Sequence, residues 1–163
     1  MKKESYQFTY DLFDDASELS EGDRILVEEA RKVTAKAYAP YSHFLVGAVA
    51  RMKDGRLVSG TNQENAAYPV GICAERVLLS NAAMQFTGLP IETMAISYHN
   101  TRGESNKPVS PCGMCRQSLA EYEERQGAPI RLILTGMEGP VMILSGSSSL
   151  LPFSFGGSNL KGS

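Results

Sequence analysis

Three cysteines and one glutamate have residue types and spacings that suit metal-assisted catalysis. The chain contains three cysteines in all: Cys112 and Cys115 form a Cys-x-x-Cys pair, and Cys73 precedes them. Three thiolates can fill three of the four tetrahedral positions of Zn²⁺ and leave the fourth open, as in catalytic sites. Glu75 follows Cys73 by two residues and could handle a proton without binding the metal. The pattern predicts one Zn²⁺ per chain held by Cys73, Cys112 and Cys115, with Glu75 as the catalytic residue.

The Cys-x-x-Cys pair on its own is equally compatible with a redox pair, as in thioredoxin-like proteins. Cys73 and Glu75 favour the metal. A closed structural zinc site would need a fourth protein ligand, for which the chain offers only His43 and His99. His43 falls in a loop before a strand and His99 at a strand end, positions typical of turn and surface residues. A structural zinc or redox module without turnover is the alternative outside the enzyme class.

Two predicted helices begin at the cysteines. Apolar spacing predicts one helix over 73–86, ended by Gly88 and Pro90, and another over 112–126, ended by Gly127. The free N–H groups and the positive dipole at a helix N-terminus favour a thiolate. All three thiols are therefore expected at helix N-termini, where they could grip one ion.

The remaining segments predict an α/β fold with a mixed five-stranded sheet and helices on both faces. A capping pattern at Ser20 and Asp23 begins a helix that Pro40 ends, and Asp54-Gly55 is typical of a hairpin turn. The predicted strands lie in FLVGAVARMK, GRLVSG, TMAISY, IRLILT and VMIL. The link between the last two strands is too short for a parallel crossover, so we expect them to be antiparallel.

Length and composition are those of one globular domain. The 163 residues are 42% hydrophobic and 21% charged, and we expect an irregular leader (1–19), a single domain (20–155) and a flexible tail (156–163). The net charge of −2 and the pI of about 5.7 disfavour nucleic acid as a partner. No apolar run reaches the ~18 residues of a membrane span, and MKKESYQFTY lacks the apolar core of a secretion signal. We therefore expect a cytoplasmic protein with reduced thiols and no membrane partner.

Several longer segments resemble one known family. CAE followed by PCGMC, together with YSHFLVGA (41–48), GTNQENAAYPVGICAER (60–76), PCGMCRQSLAE (111–121) and LLPFSF (150–155), is similar to the short, three-cysteine form of the zinc-dependent cytidine deaminases. The resemblance covers roughly residues 35–155. It implies a three-layer α/β/α fold and a homotetramer with sites shared between subunits.

The same resemblance implies a reaction. Free cytidine or deoxycytidine would be hydrolysed to uridine or deoxyuridine plus ammonia, in pyrimidine salvage. Zinc would lower the pKa of its bound water towards ~7. Glu75 would take that proton while hydroxide attacks C4, and would then deliver protons to N3 and to the leaving ammonia.

The substrate-binding residues also follow from the resemblance, because spacing alone reads most of them as turn or core residues. Asn62 and Glu64 would grip the ribose 3′-hydroxyl, and Phe44 would pack against the pyrimidine ring. The expected substrate contacts further include Ala74, with Tyr68 and Phe155 lent to the neighbouring subunit's site.

Arg76 is expected to hydrogen-bond the cysteine sulfurs. Three thiolates on Zn²⁺ leave a net −1 charge, which a nearby cation should offset. The helix N-termini and Arg76 are the candidates, and the resemblance favours Arg76.

Two other enzymes compete with this interpretation. A deaminase of another aminopyrimidine nucleoside, of the blasticidin type, resembles the chain at the zinc site but lacks the NQEN segment that contains Asn62 and Glu64. A polynucleotide-editing deaminase is disfavoured by the acidic charge balance and by the expected antiparallel pairing of the last two strands.

Overall fold

The computed structural model describes residues 1–160. This part of the chain contains three α-helices and six β-strands. The helices are α1 (Glu21–Val33), α2 (Ala74–Gln85) and α3 (Gly113–Gln126). The strands are β1 (Asp11–Phe13), β2 (Phe44–Met52), β3 (Leu57–Thr61), β4 (Ile91–Asn100), β5 (Arg131–Thr135) and β6 (Val141–Leu144). Residues 161–163 of the predicted flexible tail (156–163) lie outside the described residues.

All six strands belong to one mixed sheet, in the order β1-β6-β5-β4-β2-β3. β4 and β5 are parallel, as expected for strands joined by the crossover helix α3, and the other neighbours are antiparallel. The hairpin predicted at Asp54-Gly55 joins β2 to β3, and Gly55 there has φ +90°. The predicted antiparallel pairing of the last two strands is confirmed, with Ile133 opposite Ile143.

The predicted count of five strands is wrong, because the leader supplies a sixth. Asp11–Phe13 forms β1 at the sheet edge, where Phe13 lies opposite Val141 of β6. Phe13 packs against the same core cluster as α1, whereas Leu12 on the other face is exposed. Three residues are too few for an alternating pattern to be recognised in sequence, so only the pairing with β6 reveals the strand.

Helices cover both faces of the sheet, which confirms the three-layer α/β/α arrangement. On one face α1 buries Leu26, Val27, Ala30 and Val33 against apolar side chains of β2, β4, β5 and β6. The opposite face buries apolar side chains of α2 and α3, including Leu78 and Leu119. The cysteine-bearing helices α2 and α3 therefore lie side by side on one face of the sheet.

The first helix begins as its capping pattern predicts. The Ser20 hydroxyl accepts a hydrogen bond from the Asp23 N–H at 3.3 Å. The Asp23 carboxylate in turn binds Arg131 on β5 through two contacts of 2.7 and 2.9 Å. This pair ties the start of α1 to the middle of the sheet.

A glycine lets α2 approach the sheet closely. A Cβ built on Gly60 of β3 would collide with the backbone of α2 at Ala74 and Leu78. The first turn of α2 therefore rests directly on β3, which places Cys73 and Glu75 at a fixed height above the sheet. Within residues 1–160, no helix combines the length and apolar character that crossing a membrane requires.

Candidate active site and metal centre

The three cysteine sulfurs converge at the N-termini of α2 and α3. Cys73 and Cys112 are the residues that cap these helices, and Cys115 lies in the first turn of α3. The Sγ atoms of Cys73 and Cys112 are 3.7 Å apart, those of Cys112 and Cys115 are 3.4 Å apart, and all three lie within 4.8 Å of one another. A tetrahedral zinc with Zn–S bonds of about 2.3 Å requires sulfurs about 3.8 Å apart. The donor set therefore fits Zn²⁺.

The site has three protein ligands rather than four. Among residues 1–160, the group of potential metal ligands at this point consists of Cys73, Cys112 and Cys115, without a histidine or carboxylate. His43, the fourth ligand considered from sequence, lies in the loop before β2 with φ +59°. Its carbonyl accepts a hydrogen bond from Thr101 N–H at 3.1 Å. Three thiolate ligands leave one tetrahedral position for water or substrate, which is the arrangement of catalytic zinc.

The pKa values of Cys73 and Cys115 are shifted in opposite directions. Close approach of the Cys115 and Cys112 thiols lowers the pKa of Cys73 to about 6. The same contact with Cys73, together with burial, raises the pKa of Cys115. The Cys73 thiol is therefore more acidic than the Cys115 thiol, and a bound cation would favour the deprotonated form of the ligands.

Glu75 lies in the first turn of α2 and is only 5% exposed. Burial is the largest influence on its carboxyl group and raises the pKa, while its own backbone N–H and the Cys115 thiol act in the opposite direction. A raised pKa brings a carboxyl group closer to the range in which general acid–base catalysts work. The buried carboxyl thus has the chemical properties expected of a general acid–base.

A cleft of about 390 Å³ opens beside the sulfurs and Glu75. This volume lies within the range of roughly 300–1,000 Å³ that small-molecule sites occupy. The structure brings eight of the eleven residues predicted for the site to this cleft: Phe44, Asn62, Glu64, Tyr68, Cys73, Ala74, Glu75 and Cys112. The others are Cys115, buried behind its partner sulfurs, Arg76 and Phe155.

Asn62 follows β3 and continues the hydrogen bonding of the sheet with its side chain. Its Nδ2 donates to the Phe44 carbonyl at 2.9 Å, and its Oδ1 accepts from the Val46 N–H at 2.7 Å. An amide NH₂ carries two hydrogens, so one remains for a further acceptor. Asn62 thereby fixes the start of β2 at the cleft wall.

Glu64 uses one carboxylate oxygen to hold a loop. Its Oε2 accepts the backbone N–H groups of Tyr41 and Ser42 at 2.9 and 3.2 Å. Its Oε1 accepts no hydrogen bond from residues 1–160. Slight burial raises the pKa of this carboxyl, but the contacts with Ser42 and Tyr41 outweigh it and lower the pKa overall. Glu64 therefore presents an ionised oxygen at the cleft.

Two predicted residues lie away from the sulfurs. Arg76 lines a separate groove between α2 and α3 and makes no hydrogen bond to the sulfurs in the described chain, although its charge contributes slightly to lowering the pKa of Cys73. Phe155 is 60% exposed and lies outside this chain's own cleft, and its carbonyl accepts a hydrogen bond from Gln117. Tyr68 is at the cleft but 76% exposed.

Further residues, which the sequence did not predict, also shape and anchor the site. Val46, Ile96, Val109, Ser110 and Met114 also line the cleft. Val46 and Ile96 could have been found from strand alternation, since each shares a strand face with a buried neighbour.

Arg116 anchors the loop before α3. Its guanidinium donates to the carbonyls of Pro111 at 2.8 Å and Leu150 at 3.1 Å. It therefore ties the segment before Cys112 to the C-terminal part of the chain. Its position directly after the Cys-x-x-Cys pair was the available signal.

Comparisons with known proteins agree with this arrangement. Residues 20–126 match the family model described as the cytidine and deoxycytidylate deaminase zinc-binding region. A cytidine deaminase of Halalkalibacterium halodurans is 35% identical over 132 residues, covering 81% of this chain and 92% of the relative. A blasticidin-S deaminase of Bacillus cereus is 31% identical over 128 residues, covering 76% of this chain and 86% of that protein.

Solved structures show the same relationship. The crystal structure of a cytidine deaminase from Burkholderia pseudomallei superposes with a TM-score of 0.71 at 34% identity and covers 84% of this chain and 100% of its own. A cytidine deaminase from Mycobacterium tuberculosis gives a TM-score of 0.62 at 30% identity, over 81% and 95% of the two chains. The match of sequence, fold and cysteine cluster shows that this chain belongs to the cytidine and deoxycytidylate deaminase family.

Proposed function

We propose that this chain is a zinc-dependent cytidine deaminase that hydrolyses free cytidine or deoxycytidine to uridine or deoxyuridine and ammonia. One observation carries the proposal: three convergent sulfurs with a three-ligand geometry lie beside a cleft that a buried carboxyl group also lines. Membership of the cytidine and deoxycytidylate deaminase family identifies deamination as the reaction of this cleft.

The residues at the cleft have separate roles in the proposed reaction: the cysteines bind the metal and Glu75 transfers protons. When bound by Cys73, Cys112 and Cys115, Zn²⁺ supplies Lewis-acid activation that makes water acidic enough to ionise near neutral pH. Glu75 takes the proton of the attacking water as oxygen bonds to C4 of the base. Glu75 passes this proton to N3, then accepts the proton of the new C4 hydroxyl and delivers it to the departing 4-amino nitrogen, so the C4–N bond breaks, ammonia leaves and C4 becomes a carbonyl. Because Glu75 is buried, bulk water does not compete for these protons.

Phe44, Asn62 and Glu64 orient the nucleoside in this proposal. Phe44 lines the cleft with its ring and suits contact with the pyrimidine. Glu64 offers its free Oε1 to a ribose hydroxyl, and Asn62 offers its second amide hydrogen. Ala74, fully buried in the first turn of α2, closes the cleft wall between Cys73 and Glu75.

The charges of the cleft favour a neutral nucleoside over a nucleotide. The charged side chains that line it are Glu64 and Glu75, and no lysine or arginine of residues 1–160 lines it. A phosphate group would meet negative potential without a cation to offset it. We therefore assign the nucleoside rather than the deoxycytidylate activity of the family.

A direct assay tests the proposal and its nearest rival. The purified holoenzyme is incubated with cytidine, deoxycytidine, deoxycytidylate or blasticidin S, and deamination is followed by the fall in ultraviolet absorbance. We expect turnover of both nucleosides and little of the other two. Preference for blasticidin S would support the relative from Bacillus cereus as the better functional model, and no turnover of any substrate would favour a structural zinc module.

Glu64→Ala is expected to damage turnover of cytidine much more than turnover of free cytosine, if cytosine is deaminated at all. Loss of a charge-assisted hydrogen bond to the sugar costs about 1.5–3 kcal/mol, or roughly 10- to 150-fold in kcat/KM. Glu64→Gln is the matched control, because its amide oxygen can still accept the Tyr41 and Ser42 N–H groups. Equal damage to both substrates, relieved in Glu64→Gln, would mean that Glu64 only holds the loop.

We further propose a cytoplasmic homotetramer in which subunits complete each other's sites. Several large apolar side chains near the cleft and in the C-terminal segment are exposed: Tyr68, Val70, Met114, Phe153 and Phe155. Apolar groups concentrated in this way are typical of subunit interfaces. The three free cysteines suit the reducing conditions of the cytoplasm.

Truncation after Pro152 is expected to leave a folded, zinc-loaded protein with a sharply raised KM for cytidine. The reason is that Phe155 would reach a neighbour's pyrimidine pocket rather than its own cleft. Mixing this truncated protein with full-length Glu75→Gln should restore activity as subunits exchange, since a hybrid joins an intact Glu75 with a Phe155 from another chain. Mixed oligomers seen by mass spectrometry without any gain in activity would contradict the shared site.

A further inference from the structure

Tyr98 lies behind the aromatic residue at the cleft wall. In the sheet, Phe44 is opposite Asn100 and Val46 is opposite Tyr98, so Phe44 and Tyr98 are diagonal neighbours on one face of β2 and β4. Their rings are stacked, with centroids 4.6 Å apart and planes inclined by 12°. Phe44 lines the cleft, whereas Tyr98 is only 3% exposed and does not line it.

We infer that Tyr98 is a positioning residue that holds the Phe44 ring in the orientation that receives the pyrimidine base. The inference rests on the proposed function, because it assigns Phe44 to the base. Nothing in the zinc chemistry requires Tyr98. Its effect is therefore expected in substrate affinity rather than in the bond-breaking steps.

Hydrogen bonds hold the backbone of Phe44 in place, so its ring is the part of the residue that can still rotate. The Phe44 N–H donates to the Ser42 hydroxyl at 3.1 Å, and its carbonyl accepts from Asn62 at 2.9 Å. These bonds fix the backbone but not the side-chain torsions. The stacked Tyr98 ring covers one face of Phe44, so the opposite face and the ring edge remain for a ligand.

The ring of Tyr98, and not its hydroxyl, provides this support. The Tyr98 ring packs flat against Phe44, with ring centroids 4.6 Å apart, so the contact depends on the ring rather than on the hydroxyl group. Tyr98→Phe should therefore behave as the wild type. Tyr98→Leu and Tyr98→Met keep an apolar side chain at the position but remove the flat surface.

The test is a double-mutant cycle in the zinc-loaded enzyme, with Tyr98→Phe, Tyr98→Leu, Phe44→Leu and the double leucine variant. We expect Tyr98→Leu to raise KM for cytidine about three- to tenfold with kcat changed by less than about twofold, and Tyr98→Phe to stay within about twofold in both. In the Phe44→Leu background, Tyr98→Leu should raise KM no further, because the ring it supports is gone. Tyr98→Met replaces Tyr98→Leu if the leucine variant fails to fold.

Zinc content and thermal unfolding are measured for every variant, so that a general loss of structure is recognised. KM effects that multiply in the double variant, a loss confined to kcat, or equal damage from Tyr98→Phe and Tyr98→Leu would overturn the role of Tyr98. Absence of cytidine turnover in the wild type would instead overturn the proposed function and the inference with it.

Discussion

Glu75→Gln is expected to lose more than about 10⁴-fold in kcat while it keeps its zinc and its fold. General acid–base assistance is typically worth ~10²–10⁴ per residue, and one carboxyl group here is assigned several proton transfers. Glutamine has nearly the same shape but cannot accept the proton. Because the side chain is 5% exposed, solvent has little access to substitute for it.

Steady-state kinetics on cytidine, metal analysis and thermal unfolding together check this expectation. Glu121→Gln is a matched control, since it makes the same chemical change on the exposed surface of α3. The control should retain wild-type kinetics. Activity of Glu75→Gln within tenfold of the wild type would remove Glu75 from the catalytic role.

Cys112→Ala is expected to lose the bound zinc and, with it, the activity. The Cys112 sulfur is the one in close contact with both others, at 3.7 Å from Cys73 and 3.4 Å from Cys115. Removing it leaves two thiols and two open positions, a donor set well short of the three or four protein ligands of stable zinc sites. Metal binding to the folded chain also stabilises it, so the melting temperature should fall.

Metal analysis of the purified variant gives the readout, with one zinc per chain expected for the wild type. Ser118→Ala is the control, because Ser118 lies in α3 six residues beyond Cys112 and its hydroxyl donates to the Met114 carbonyl. The control should keep its zinc. Full zinc occupancy in Cys112→Ala would show that Cys112 is not a ligand.

The metal centre was accessible from sequence because each of its parts leaves a local signal. Apolar spacing marked both helices, and Gly127, found with φ +67°, marked the end of α3. Once Cys73 and Cys112 are placed at helix starts, short-range geometry alone fixes the direction of their sulfurs. The convergence of the two helices was predicted from the chemistry of a three-thiolate zinc site, and the family resemblance supported it.

Contacts across the sheet were not accessible in the same way. The stacking of Tyr98 on Phe44 depends on the register between β2 and β4, which are separated in the chain by β3 and α2. The pairing of β1 with β6 joins residues at opposite ends of the chain and is only three residues long. The local spacing of apolar residues does not predict such contacts, because they form only when distant strands pair in the sheet.

The proposed substrate-binding roles of Asn62 and Glu64 were predicted only through resemblance. The structure shows that each side chain also holds nearby backbone in place. Asn62 bonds the backbone of β2, and Glu64 bonds the loop before it. Polar residues at a strand end read as a turn in sequence, because their partners lie some 16 to 23 positions away. Substitution of either residue is therefore expected to disturb the cleft wall as well as the proposed sugar contact.

The close packing of α2 on β3 at Gly60 affects how a substitution at this position would be interpreted. Its missing side chain sets how close α2 lies to the sheet, while Cys112 and Cys115 are carried by α3. A larger residue at position 60 would lift Cys73 and Glu75 together and leave the other two sulfurs behind. An inherited or engineered change at this position would thus present as a metal and catalytic defect, although Gly60 lies outside the cleft and carries no functional group.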